Sequence, residues 1–347
     1  MKVGVVGAGL MGKIHLNLLR EMHGVQIVGV ADSRIDRAEA LDVAGNIGTA
    51  FRDLETLLER ARPDAVHIVT PPNTHAALAG MALRAGCHVF VEKPMALTVQ
   101  EAQSMIAIAT ENRRILAVDH NHLFDPAVRD AQVRVAEHQL GRLLGLDVFH
   151  GALPASPEWL EELSSGPWTN DVDHLLYLAH LFMGDPQAIR AVGYPNGGQS
   201  KVTELRVLME HNAGSSSLTY SSATAPFRIR LMVYGTERTL ELDVVAGLMI
   251  EHRRVGGHPW LAKGIAALDI ASQLMFGAGR NAVRVLTGRE RSWAGLRALL
   301  DAFYEAIRDN GPSPVPGTEG LRIVRLREEI SRQLKEQGRE SALSSRV

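Results

Sequence analysis

The sequence predicts an α/β protein in two parts: a doubly wound parallel sheet over residues 1–123, then an α+β domain with a large open, mainly antiparallel sheet over residues 124–347. Three observations carry this prediction. Strand-like and helix-like runs alternate from residue 2 to about residue 121, the rhythm of a parallel sheet covered by its crossover helices. After Pro126 strands follow one another with few helices between them, which antiparallel pairing permits and parallel pairing does not. A glycine-rich turn also joins the first strand to the first helix.

In the first part, KVGVVG, VQIVGVAD, AVHIVTP, HVFVEKP and RILAVDHN are short runs rich in Val and Ile and read as five strands. Residues 11–22, 34–42, 53–61, 74–86 and 98–112 show helical spacing or composition. Ligands of such sheets gather beyond the carboxyl ends of the strands. GVVGAGLMG, VTPPNT, VEKP and VDHNH all stand there, so one crevice collects all four. In the second part, residues 143–152, 188–194, 202–211, 215–223, 227–234 and 238–252 read as strands, with HNAG and YGTE as turn signals. One helix near residues 170–183 interrupts them, residues 258–291 read as an apolar helical insertion, and helices continue to about residue 335. GRESALSSRV resembles a frayed tail.

The chain has 347 residues, 46% of them hydrophobic and 22% charged, enough for two domains with separate cores. A formal charge of −2, with Lys and Arg scattered, gives no basic stripe for nucleic acid or an anionic membrane. Small-molecule chemistry is the better match. The single cysteine, Cys87, excludes an internal disulfide and a cysteine zinc cage, in keeping with the reducing cytoplasm. The glycines of MKVGVVGAGLMG interrupt its apolar run, so it reads neither as a signal peptide nor as a membrane span.

Gly7, Gly9 and Gly12 form G-x-G-x-x-G between a strand and a helix, and Asp32 ends the second strand 20 residues after Gly12. This is the dinucleotide-binding fingerprint of a Rossmann domain. It requires a tight turn, backbone close enough to a pyrophosphate for helix N-terminal amides to reach it, and an acid that accepts hydrogen bonds from a ribose. The candidate cofactor contacts are Gly7, Gly9, Leu10, Met11, Gly12, Asp32, Ser33 and Arg34, with Thr70, Pro71, Asn73 and His75 after the third predicted strand. A carboxylate at Asp32 repels the 2′-phosphate of NADP and favours NAD. Ser33 and Arg34 are of the kind that accommodate that phosphate, so NADP stays open.

The stretch HVFVEKPMALT ends a buried strand in Glu92, Lys93 and Pro94. Desolvating an ion pair there is expensive and gains little stability, which points to function. With GAGLMG, TPPNTH, ALRAGCHVFVEKPMALT, VDHNHLFDPAVR and GPSPVPGTEGLRIVRLREEI, nearly the whole chain resembles the glucose-fructose oxidoreductase, inositol dehydrogenase and rhizopine catabolism (Gfo/Idh/MocA) family. In that family the lysine of E-K-P lies beside the nicotinamide and the substrate carbinol, and the following peptide bond is commonly cis. The resemblance implies those roles for Lys93 and Pro94, with Glu92 holding Lys93 in place and both Glu92 and Lys93 among the cofactor contacts. The chemistry agrees: oxidising an alcohol sends a hydride from carbon and a proton from oxygen, and an ammonium can orient that oxygen.

The family's second catalytic element is usually Asp and His four residues apart on a helix of the second domain. GPWTNDVDHLLYLAHLFMGDP places His174 ten residues before Gly184, but Asn170 stands four residues earlier. Asn170 and His174 share a helix face, while Asp171 at i−3 is an alternative source of the carboxylate and the adjacent Asp173 points elsewhere. Asn cannot carry a proton, so either His174 acts with Lys93 while Asn170 only orients the substrate, or Asp171 supplies the carboxylate; Asn170, Asp171 and His174 are all candidate substrate contacts. By the same resemblance, Asn121 is a cofactor contact and His122 a substrate contact. Adjacent side chains of a strand face opposite ways, so His120-Asn121-His122 is no metal site, and no metal is expected elsewhere. Trp168 either stacks on a sugar face or packs in the core, and His180 packs. The leading reading is an NAD(P)-dependent dehydrogenase acting on a hydroxyl of a sugar, sugar derivative or cyclitol, assembled as a homo-oligomer. Two alternatives are a redox-neutral sugar-modifying enzyme using held NAD, and a non-catalytic NAD-binding sugar sensor.

Overall fold

The computed structural model describes residues 1–45, 49–151, 168–195, 201–286 and 293–344. The first strands are β1 (Lys2–Val6), β2 (Gln26–Ala31), β3 (Ala50–Phe51), β4 (Ala65–Ile68), β5 (His88–Val91) and β6 (Leu116–Val118). They form one parallel sheet in the order β3-β2-β1-β4-β5-β6. Its interior is mostly Val, Ile and Ala, the composition of strands buried on both faces, with His67 and Phe90 among them. The crossovers are α1 (Leu10–Arg20), α2 (Ile35–Gly45), α3 (Leu54–Ala61), α4 (His75–Arg84) and α5 (Val99–Glu111). Thr98 caps α5 in a reciprocal capping box with Glu101. The two-residue β3 is absent from the sequence reading because it is too short to show a period.

The order reverses at β1, whose neighbours are β2 and β4, so the switch point opens beside the glycine turn. Register places the strand ends level: Val6 pairs with Ile68, Ile68 with Val91, and Val91 with Val118. The backbone ladder continues one residue further, Val69 to Val6 and Glu92 to Ile68 and Asp119 to Val91, each at 2.9 Å. Gly7, Thr70, Glu92 and Asp119 therefore line one edge.

The second sheet has seven strands: β7 (Leu143–Gly151), β8 (Ala188–Tyr194), β9 (Glu204–His211), β10 (Gly214–Ser221), β11 (Arg228–Gly235), β12 (Arg238–Asp243) and β13 (Leu248–Arg253). The order is β13-β12-β11-β7-β10-β9-β8, antiparallel except for the parallel pair of β7 and β10. Strict alternation along β9, with Leu205, Val207 and Met209 buried and Arg206, Leu208 and Glu210 exposed, leaves one face of the sheet open. The expected strand over 238–252 is a hairpin instead, turned at Gly247, whose φ is +62°. The last residue of the expected strand 143–152 lies outside the described residues.

The remaining helices are α6 (Pro126–Ala136), α7 (Trp168–Met183), α8 (Pro259–Leu286), α9 (Ala294–Arg308) and α10 (Gly317–Ser344). Pro126 starts α6 at a position that suits proline, so the residue marking the change of rhythm opens a helix that the sequence reading omits. α8 falls on the predicted apolar insertion; residues 287–291 of that insertion, and 345–347 of the tail, lie outside the described residues. Gln273 fastens α8 to β13 through both the N–H and C=O of Glu251, at 2.8 and 3.0 Å. Its other side exposes Trp260, Leu268, Met275 and Phe276. Over Trp260–Val283 the mean hydropathy is 1.2, long and apolar enough by length and composition to cross a membrane, a candidate the sequence reading did not single out.

The chain divides into two compact units, Met1–His120 with Arg297–Arg325, and Asn121–Leu296 with Leu326–Val347. The return segment belongs to the first unit because its backbone joins that sheet's edge: Val118 N–H donates to Val315 O at 3.0 Å. Gly320 lies so close to Met95 that a Cβ there would stand 2.4 Å from its sulfur. The sequence reading, dividing the chain once at residue 123, had no local signal for this return.

Candidate active site

In the first unit the site grows from the turn after β1. Gly7 has φ +108°, and a Cβ would meet Val69 O at 2.6 Å. At Gly12 a Cβ would lie 2.0 Å from Gly7 O. Both glycines are thus demanded by the fold itself. Gly9 differs: its Cβ would meet nothing within 4 Å, and as the residue before α1 it supplies no side-chain cap. Uncapped first-turn amides facing open space suit an anion held by backbone N–H groups. Leu10, 75% exposed, and the half-buried Met11 follow at the mouth of this turn.

Asp32 ends β2 with both carboxylate oxygens anchored, Oδ2 by Ala8 N–H at 2.7 Å and Oδ1 by Arg34 N–H at 2.9 Å. A carboxylate has about four lone-pair positions, so acceptor capacity remains for a ribose. Ser33 and Arg34 are exposed beside it, with Arg34 reaching Asp36 at 3.8 Å. Thr70 and Thr74 share a hydroxyl bond of 2.6 Å, Pro71 O accepts from the Thr74 hydroxyl, and Asn73 is exposed. His75 ties this loop to the next: its ring nitrogens lie 2.8 Å from Thr70 O and 2.8 Å from Pro94 O. Burial lowers the His75 pKa, with the two carbonyls opposing.

The Lys93–Pro94 peptide is cis and Lys93 is half-buried. Glu92 is buried and turned toward His15, whose Nε2 lies 3.3 Å from Glu92 Oε1 and 3.9 Å from Asp119 Oδ2. Burial pushes the Glu92 carboxyl up, but His15, then Asp119 and Lys93, outweigh this and hold it below its usual value. The expectation that Glu92 serves Lys93 therefore omits its other partners. His15 and Asp119 went unread because a histidine in a helix and an aspartate after a strand carry no periodic signal of contact.

In the second unit His122 sits on a 3-10 turn, Asn121–Phe124, and not on a strand as the sequence reading had it, because β6 stops at Val118. His122 Nδ1 lies 2.6 Å from Asp125 Oδ2. Its ring centre is 4.8 Å from that of His174, and His150 stacks on His174 at 5.6 Å. His174 Nδ1 lies 2.7 Å from the Tyr177 hydroxyl, which in turn donates to Asn121 at 3.5 Å. On α7, Asn170 donates to Asp171 Oδ1 at 2.8 Å. Asp171, His150 and His174 offer oxygen and nitrogen atoms all within 4.8 Å of one another.

Asp171 also acts on Tyr220, whose hydroxyl pKa rises through burial first and then the charges of Asp171 and Glu204. Asp173 points away, to Arg327, and Trp168 is 1% exposed at the start of α7. His180 is half-buried near Asp185, at 3.4 Å. A carboxylate among stacked imidazoles can share a proton; a second close group of ionisable side chains, one imidazole with two carboxylates, is His15, Glu92 and Asp119. The sequence reading, weighing metal only at residues 120–122, saw neither set. His150 was missed because its partners lie on another element.

Two comparisons decide the family. Residues 1–120 match the oxidoreductase family, NAD-binding Rossmann fold, and residues 133–339 match the oxidoreductase family, C-terminal alpha/beta domain, both of the Gfo/Idh/MocA group. The chain belongs to the Gfo/Idh/MocA oxidoreductase family. This Gfo/Idh/MocA chain is 29% identical to the UDP-N-acetylglucosamine 3-dehydrogenase of Acidithiobacillus ferrooxidans over 93% of its length and 94% of that protein. It is 25% identical to the inositol 2-dehydrogenase of Rhizobium meliloti over 72% of its length and 78% of that protein. Its fold is shared with the WlbA dehydrogenase of Bordetella pertussis, solved with NADH and UDP-GlcNAcA, at a TM-score of 0.78 and 19% identity over 97% and 96% of the two chains. It is an NAD-dependent oxidoreductase, and the open space at Gly9 with the anchored Asp32 carboxylate fits that cofactor.

Proposed function

We propose that the protein removes a hydride from a hydroxyl-bearing carbon of a sugar, sugar derivative or cyclitol. The observation that carries this reading is the cluster of half-buried Asp171 with buried His150 and His174, whose oxygen and nitrogen atoms lie within 4.8 Å of one another, a set suited to proton exchange with a hydroxyl. Bound NAD supplies the hydride acceptor. Lys93 orients the reacting oxygen and stabilises negative charge as its proton leaves. His174, steered by Tyr177 and electrostatically supported by Asp171, accepts or returns that proton, and His122, fixed by Asp125, binds a neighbouring hydroxyl. Asn121 contacts the cofactor, and Trp168 supports α7. Turnover of sugars, nucleotide sugars and inositols, followed as NADH absorbance, tests the reading. Product without NADH accumulation marks the redox-neutral alternative, and sugar binding without turnover marks the sensor.

Asn170 replaces the family aspartate, and its amide donates to Asp171, so Asp171 carries the carboxylate role and Asn170 holds it. Asp171→Asn is expected to lower turnover by roughly two powers of ten, the lower end for a positioned proton-transfer group. Asn170→Ala is expected to be mild. Equal losses in the two variants, measured as kcat, count against this assignment.

Asp32 repels the 2′-phosphate of NADP and favours NAD. Asp32→Gly is expected to raise the NADP to NAD ratio of kcat/KM, since the repulsion goes while Arg34 remains. Wild-type protein binding NADPH at least about tenfold more tightly than NADH contradicts this. The protein works as a cytoplasmic homo-oligomer: the open face of the second sheet and the apolar side of α8, where Trp260, Leu268, Met275 and Phe276 are exposed, support an interface between copies. Light scattering at micromolar concentration is expected to give a multiple of the chain mass, and a monomer overturns it.

A further inference from the structure

Beneath Lys93 a series of buried polar groups crosses the first unit. The Tyr304 hydroxyl lies 2.7 Å from His67 Nε2, His67 Nδ1 lies 2.8 Å from His15 Nδ1, and His15 Nε2 lies 3.3 Å from Glu92 Oε1. All four residues are buried, among Phe90 and Phe303, where apolar side chains would fill the space without desolvating a polar group. The two ends of the series stand at opposite edges of the sheet. Glu92 follows β5 at the carboxyl edge. Tyr304 borders a cleft of about 400 Å³ together with Met1, Val25, Asp64, His88 and Arg308. Met1, Val25 and Asp64 immediately precede β1, β2 and β4, and His88 opens β5, so this cleft lies at the amino edge.

We propose that Tyr304, His67 and His15 form a proton path joining Glu92 to water in this cleft. The contact between two Nδ1 atoms is the decisive feature, because it holds one proton that either ring can own. With Glu92 ionised, the hydrogen bonds run toward it: Tyr304 O–H to His67 Nε2, His67 Nδ1–H to His15 Nδ1, and His15 Nε2–H to the carboxylate. With Glu92 protonated, every bond reverses, and the Tyr304 O–H points to the cleft.

Passage from the second state to the first balances. The Glu92 O–H breaks as a new N–H forms at His15 Nε2, and the His15 Nδ1 proton moves to His67 Nδ1. The His67 Nε2 proton then moves to the Tyr304 oxygen, and the original phenolic proton passes to water. One proton leaves and no ring remains charged. Burial, followed by the charge of His15, keeps the His67 pKa well below its usual value, which favours a ring that passes a proton on over one that stores it. These three are positioning residues that act through Glu92.

Tyr304→Phe keeps the ring and removes the hydroxyl. In full-length protein labelled with nitrogen-15 at histidine, the ring N–H protons of His15 and His67 are expected to exchange with solvent at least roughly tenfold more slowly in this variant than in wild type. Unchanged exchange overturns the path, whatever the substrate.

Discussion

Lys93→Ala is expected to lower turnover by roughly two to four powers of ten while leaving NAD affinity nearly intact. The asymmetry follows from where the cofactor is held. The uncapped first turn of α1, the space at Gly9 and the anchored Asp32 all remain in the variant. What disappears is the ammonium that orients the reacting oxygen, and Glu92 keeps its contact with His15. Single-turnover kinetics with cofactor titration separate the two effects. Turnover within a factor of about two of wild type refutes a catalytic Lys93. A variant that fails to fold, judged by circular dichroism, assigns Lys93 a structural role instead.

Arg327→Met is expected to destabilise the protein by about 3–5 kcal/mol, because it leaves the Asp173 carboxylate buried without its guanidinium. One Arg327 nitrogen lies 2.8 Å from each Asp173 oxygen, and both side chains are only 2% exposed. In that setting, loss of one partner matters far more than the net strength of the pair. The double variant Asp173→Asn with Arg327→Met is expected to regain part of the loss, since no buried charge remains. Asp173 precedes His174 on α7, so the single variant also loosens the helix that presents Asp171 and His174. Urea denaturation of wild type, single and double variants checks the prediction. A single-variant loss below about 1 kcal/mol, the scale of an exposed pair, contradicts it.

Much of the first unit was legible in local sequence. Alternating apolar strands and helical spacing, read in order, specified the parallel sheet, and G-x-G-x-x-G with Asp32 specified the cofactor turn, because turn, strand and helix are adjacent in the chain. The misses have separate local causes. β3 is two residues long, α6 hides behind Pro126, and the hairpin of β12 and β13 reads as one run because apolar residues continue through the turn.

The sequence by itself determined the fold class, the cofactor class and the identity of the charged residues at the strand ends, since each depends on residues within one strand-turn-helix unit. Tertiary structure alone decided which partners those residues have. Glu92 meets His15, 77 positions away, and His67 meets Tyr304, 237 positions away. Asp173 meets Arg327, 154 positions away. Such pairings are set by packing of elements remote in sequence, and no periodicity or spacing along the chain encodes them.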